Sequence, residues 1–128
     1  MCKPKKPYRT LVHVIQTVVK ELGYGHREAV YQRAIVAHLA ALGIPAQIEV
    51  PVPFFVQGIC VGQGRIDILT KSHIIELKAT HMTPTSICAS RQQLQRYTAA
   101  MKAAGATPRR GIIAIFDPTT MLVHVEHI

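Results

Sequence analysis

Residues 64–79 read Gly64-Arg65-Ile66-Asp67-Ile68-Leu69-Thr70-Lys71-Ser72-His73-Ile74-Ile75-Glu76-Leu77-Lys78-Ala79. One acid sits in a first apolar run, a short polar break follows, and a second apolar run carries Glu-x-Lys. Two such runs around a break predict a β-hairpin turning at Lys71-Ser72. Counting symmetrically about that turn sets residue 67 opposite residue 76. Alternation along a strand puts Glu76 and Lys78 on one face. Two carboxylates and a lysine then converge on one spot, which suits a hard divalent cation with a cationic group beside it. The plainer alternative is a solvent face carrying a Glu–Lys pair. Scarcity weighs against it, because the chain has 7 acidic residues in 128 and two of them fall here.

Working outward, the length predicts one domain, and 48% hydrophobic residues suffice for a core. Lysine and arginine total 15, for a formal charge of +8. Such a field favours polyanions without specifying one. Lys3, Lys5, Lys6 and Arg9 give a basic start, read as an arm over residues 1–8 ahead of a single domain over 9–128. That arm either touches phosphates or is a mobile tail. Three widely spaced cysteines suggest neither a disulfide framework nor a thiolate metal site. With no signal-like or membrane-length apolar run, the expected setting is intracellular, cytoplasmic or with the nucleoid or nucleus, not secreted and not membrane-bound.

Leu11, Ile15, Val18 and Leu22 recur at helical spacing and predict a helix over about 9–22, ended at Gly23. A second helix is expected over about 27–42, with Tyr31, Ile35, Leu39 and Leu42 on one stripe and Gly43 as its stop. Ile48, Val50, Val52, Phe54 and Val56 alternate as a strand, and Pro51 and Pro53 mark it as an edge. Gly62-Gln63-Gly64 predicts a bulge or bend before the hairpin. Thr85 or Ser86 can cap a third helix reaching about residue 104, with Leu94, Tyr97, Met101 and Ala104 inward. Strands over 111–116 and 121–125 close the chain. The pattern is α/β, with a mixed central sheet flanked by helices.

Several of these segments together resemble the PD-(D/E)XK nuclease superfamily, and within it the small GxxExxY group. Gly25-His26-Arg27-Glu28-Ala29-Val30-Tyr31 matches that signature, Arg65-Ile66-Asp67 resembles the R-x-D strand, and Glu76-Leu77-Lys78 the E-x-K strand. Gln93 to Tyr97 is similar to the Q-x-x-x-Y helix element, and Gly111 to Phe116 to the closing G-x-x-x-x-F strand. These motifs fall in family order from about residue 10 to the end. The first acid follows Ile66 rather than the proline frequent in the superfamily. The resemblance implies a restriction-endonuclease-like core and a metal-dependent nuclease.

On that reading Asp67 and Glu76 bind Mg2+ or Mn2+, with the Leu77 carbonyl as an implied further ligand. Lys78 stabilises charge near the attacking water. Glu28 shares a helical face with Tyr31 and Ile35, so it points inward or toward a cleft; favouring a helix N-terminus is its alternative role. The family places Gln93 toward the active site, with core-edge packing the alternative, and Tyr97 shares its face. Arg65 could hold phosphate, and Arg91 and Arg96 could extend a phosphate strip or be a solvated face. The expected partner is nucleic acid, with DNA favoured, and a homodimer is suggested if two strands are to be cut. Two further readings stay open. One is a nucleic-acid-binding or assembly module of the same fold with weak or no catalysis. The other is a structural protein associating through the Phe54-Phe55 edge strand.

Overall fold

The computed structural model describes residues 6–107 and 109–128. Helix α1 spans Lys6–Leu22 and α2 spans Glu28–Ala41; strands β1 (Ala46–Val56), β2 (Ile59–Thr70) and β3 (His73–Lys78) follow. Then come α3 (Pro84–Ala103), β4 (Arg110–Asp117) and β5 (Leu122–His127). The five strands form one sheet in chain order. Neighbours are antiparallel except β3 and β4, which run parallel because α3 carries the chain back between them.

Leu11, Val14, Ile15 and Val18 of α1 and Tyr31, Ile35 and Leu39 of α2 bury one face of the sheet, meeting Ile68, Ile75, Leu77, Ile112, Ala114 and Phe116. Leu94 and Tyr97 of α3 bury the other against Val52, Ile66, Leu69, Ile74, Ile113 and Ile115. Two glycines let α3 approach closely. A Cβ at Gly64 would lie 2.3 Å from Tyr97 Cε1, and one at Gly111 would lie 2.4 Å from Leu94 Cδ2.

Four boundaries differ from expectation. The first helix begins at Lys6 rather than near residue 9, so Lys6 belongs to a helix; Lys3 and Lys5 lie outside the described residues. The cap of α3 is Thr83, whose side chain accepts from Ser86 N at 3.0 Å while Thr83 N donates to Ser86 Oγ at 2.8 Å. Pro84 then sits in the first turn, where its missing N–H costs nothing. The register shift falls where Phe54 faces Gly62 and Phe55 faces Cys60, so Val61 of β2 is the extra residue and the bulge sits one residue ahead of the expected Gly62-Gln63-Gly64. Finally, the alternation read for β1 does not hold along one face. Ile48 pairs with Ile68 and Val50 with Ile66, yet Ile68 packs beneath α1 and α2 while Ile66 packs beneath α3. Residues two apart on a regular strand face the same way. The switch is made at Glu49, whose φ of 54° lies in the left-handed region, and at its opposite number Asp67.

Candidate active site

The turn around Lys71 and Ser72 sets the register of the central hairpin. Thr70 Oγ1 accepts from His73 N at 3.0 Å, and Ile68–Ile75 and Leu69–Ile74 pair across it. This is the counting that puts residue 67 opposite residue 76. Beyond these pairs the ladder gives way to a side chain. Leu77 N donates to Asp67 Oδ2 at 2.8 Å, so the Asp67 carboxylate lies between the two strands. Glu76 and Lys78 share the parity of Ile74, which packs beneath α3, as strand alternation requires.

Glu76 is 2% exposed and its Oε1 has no hydrogen-bond partner among the described residues. Burial, then the charge of Asp67, pushes the Glu76 carboxyl up to about 8. Lys78 acts against that rise and Glu28 adds to it. Burial raises Asp67 as well, opposed by the Leu77 N–H, with Glu28 and Glu49 adding negative charge nearby. Four of the seven acids therefore influence one gap in the sheet.

A cavity of about 180 Å3 opens on the α2 side, lined by Glu28, Ala29, Gln32, Glu49, Asp67 and Leu77. Glu28, the first residue of α2, is exposed at this cavity rather than buried. Gln32 lies one turn further along α2 and is buried. Its Nε2 donates to the Asp67 carbonyl at 2.8 Å and to Glu49 Oε1 at 3.2 Å. The amide thus ties α2 to both residues at which the strands change face. Sequence reasoning missed Gln32 and Glu49. The signals were there, because residue 32 follows Glu28 by one helical turn and residue 49 is a rare acid set between Ile48 and Val50 in an apolar alternation.

A second cleft, of about 380 Å3, lies on the α3 side and is lined by Lys78, Thr80, Ser86, Ala89, Ser90, Gln93, Arg96 and Ile115. Lys78, Gln93 and Arg96 meet here, while Asp67, Glu28 and Glu49 line the α2-side cavity. Gln93 Nε2 donates to Tyr97 Oη at 2.8 Å. Tyr97 itself is 5% exposed and stacks on Phe54, so its ring is a wall of the core and not a surface contact. Arg65 pairs with Glu49 at 3.3 Å. Arg91 is held by Glu126 of β5 through both Nε and Nη2, outside the cleft. The Arg109–Arg110 pair is occupied by main-chain carbonyls, Arg109 Nε with Thr70 O and Arg110 Nε with Ile128 O.

Among the described residues no group of three or more His, Cys, Asp or Glu side chains is disposed to hold a metal ion. The donors present suit an ion that asks for fewer. Mg2+ is commonly bound by one or two carboxylates, with water and substrate phosphate completing its shell. Asp67 commits one oxygen to Leu77, and Glu76 presents an orphaned buried oxygen. A buried carboxyl oxygen without a partner is costly, and a bound cation would satisfy it while drawing the group into its charged form. Also among the described residues, no helix is long and apolar enough to cross a membrane.

The model of one protein family, described as the PD-(D/E)XK nuclease superfamily, matches residues 5–117. No curated protein matches the chain.

Proposed function

Because the chain belongs to the PD-(D/E)XK nuclease superfamily, we propose that it is a Mg2+- or Mn2+-dependent nuclease that hydrolyses phosphodiester bonds in DNA. The five-stranded mixed sheet with helices on both faces is consistent with the restriction-endonuclease-like core of that superfamily. The observation that carries the reading is the gap between β2 and β3. There Asp67 lies between the strands, Glu76 has a buried oxygen without a partner, and Lys78 follows on the same strand.

Asp67 and Glu76 would hold the ion, with Leu77 beside Asp67 at the α2-side cavity. When bound, the ion supplies a Lewis acid for the phosphate oxygens and lowers the pKa of water. The chain's own groups do the rest. Lys78 places a positive charge where negative charge develops on the phosphate. Gln32 fixes the Asp67 main chain, and Glu49 orients Gln32 and Arg65. Arg96 and Gln93 border the path of the strand beside Lys78. The net charge of +8 supports a polyanionic substrate. Cutting both strands of a duplex would need two such sites, which a two-fold pair of copies supplies. The segment from Gly25 to Tyr31 supports placing the chain in the GxxExxY group.

The test is incubation with single-stranded, duplex and branched DNA, and with RNA, in Mg2+ or Mn2+. Cleavage of DNA that disappears in Asp67→Ala and Glu76→Ala, both still folded by circular dichroism, is the expected result. Full activity in either variant would sink the assignment. Salt-sensitive DNA binding without cleavage in any divalent ion would favour the non-catalytic module instead.

A further inference from the structure

The cleft on the α3 side carries charge and hydrogen-bonding capacity that the fold leaves unused. Among the described residues, neither Lys78 nor Arg96 has an ion-pair partner within 4.0 Å, and no carboxylate lines the cleft. Ser90 is 4% exposed, lines the cleft, and its hydroxyl makes no hydrogen bond among the described residues. Thr80 at the opposite wall is likewise without a side-chain hydrogen bond among them. Ser86, by contrast, is occupied by the cap of α3. Two cations without ion-pair partners and two hydroxyls without hydrogen bonds among the described residues thus face one space open to solvent, free to take an anion with several oxygens. Cations with hydroxyl and amide donors around them are the chemistry of a phosphate seat.

Charge and size narrow the ligand. A phosphodiester carries a single negative charge, whereas a phosphomonoester carries about −1.5 to −2 at neutral pH. Two unpaired cations match the second. A volume of about 380 Å3 falls within the range of small-ligand pockets. Lys78 stands at the junction of this cleft with the carboxylate gap, two residues past Glu76. A strand end seated here would therefore lead its next phosphodiester toward Asp67 and Glu76.

We propose that this cleft is the seat of a terminal phosphomonoester, so that the protein acts on nucleic acid from phosphorylated strand ends. The proposal rests on the nuclease reading for its consequence, but the seat itself can be tested without cleavage. In EDTA, calorimetric titration with thymidine 5′-monophosphate, thymidine 3′-monophosphate and thymidine separates phosphate recognition from base recognition. One monophosphate should bind at least ten-fold more tightly than thymidine, and which one does so assigns the polarity. Ser90→Leu, which fills the cleft, and Thr80→Val, which removes a hydroxyl from an exposed position, should each weaken that monophosphate at least five-fold. If Ser90→Leu does not fold, Thr80→Val and Arg96→Gln carry the test. In Mn2+, linear duplex DNA with 5′-phosphate, 3′-phosphate or hydroxyl ends is compared with closed circular DNA. The expected result is at least a ten-fold preference for one phosphorylated end, reduced to within two-fold in Thr80→Val. Monophosphates that bind no better than thymidine overturn the seat. Closed circles cut as fast as phosphorylated linear DNA overturn end-directed action. Tight monophosphate binding with no cleavage of any DNA would uphold the seat and remove the nuclease reading.

Discussion

Gly64→Ala should be among the more damaging single-methyl additions to this chain, and the reason is Tyr97. The added Cβ would stand 2.3 Å from Tyr97 Cε1, 2.7 Å from its Oη and 2.8 Å from its Cζ. Real Cβ atoms do not approach aromatic atoms that closely. The ring has little freedom to retreat, because it is 5% exposed, stacks on Phe54 with centroids 6.2 Å apart, and accepts the Gln93 amide at 2.8 Å. Overpacking of this kind costs about 1–3 kcal/mol. For a chain of this length that corresponds to a Tm lower by roughly 3–15 °C. The φ of Gly64 is not in the left-handed region, so the backbone itself accepts alanine. This gives the reasoning a sign change to check. In a Tyr97→Ala background the clash is gone, and Gly64→Ala should be neutral or stabilise by about 0.4–1 kcal/mol through the unfolded state. Urea unfolding of the four proteins in this double-mutant cycle measures the coupling. A Gly64→Ala variant as stable as the parent, or a cost that persists unchanged without the Tyr97 ring, would refute the argument. Displacing Tyr97 also moves Gln93 and the wall of the α3 cleft, so DNA cleavage by Gly64→Ala should fall even below its unfolding temperature.

Glu76→Gln should raise stability while removing cleavage. The folded carboxyl titrates at about 8 and the unfolded one near 4.5, so the parent loses stability as pH rises through that window. The variant does not. Its advantage in EDTA, of about 1–3 kcal/mol, should be largest near pH 8 and vanish near pH 4.5 in chemical denaturation; a variant less stable at both pH values would count against the orphaned carboxylate. His73 acts with the opposite sign. Burial, then the charges of His127 and Arg110, holds it down at about 4, with His127 Nε2 3.2 Å away and Tyr8 stacked on His127 at 3.9 Å. An unfolded histidine titrates near 6.5, so this contribution is whole above that pH and is lost as pH falls toward 4. Denaturation midpoints of Glu76→Gln should therefore drop between pH 6.5 and 4.5, and adding His73→Gln should flatten the drop; an unaltered slope would free His73 of the role.

The parts legible in the sequence were those set by local rules. Helical stripes at Leu11, Ile15 and Val18 and at Tyr31, Ile35 and Leu39, and an edge strand marked by Pro51 and Pro53, follow from periodicity and from proline's missing donor. The opposition of residues 67 and 76 follows from counting about a turn. What local rules could not supply was the change of face at Glu49 and Asp67. Strand periodicity assumes a regular pleat, and a left-handed residue inside a strand breaks that assumption without any glycine to announce it. Left-handed backbone at a non-glycine residue is retained where surrounding contacts over-determine it. Here Gln32 and Arg65 grip the Glu49 carboxylate, and Gln32 also grips the Asp67 carbonyl. The same switch explains why one motif in the chain serves two sides of the sheet, with Asp67 on the α2 side and Glu76 on the face that carries Lys78. Asp67, Glu28 and Glu49 open toward α2, while Lys78 opens toward α3 with Gln93 and Arg96. Glu76 and Lys78 lie on one face of β3, and the Asp67 carboxylate reaches the gap beside them because it is inserted between the strands at Leu77.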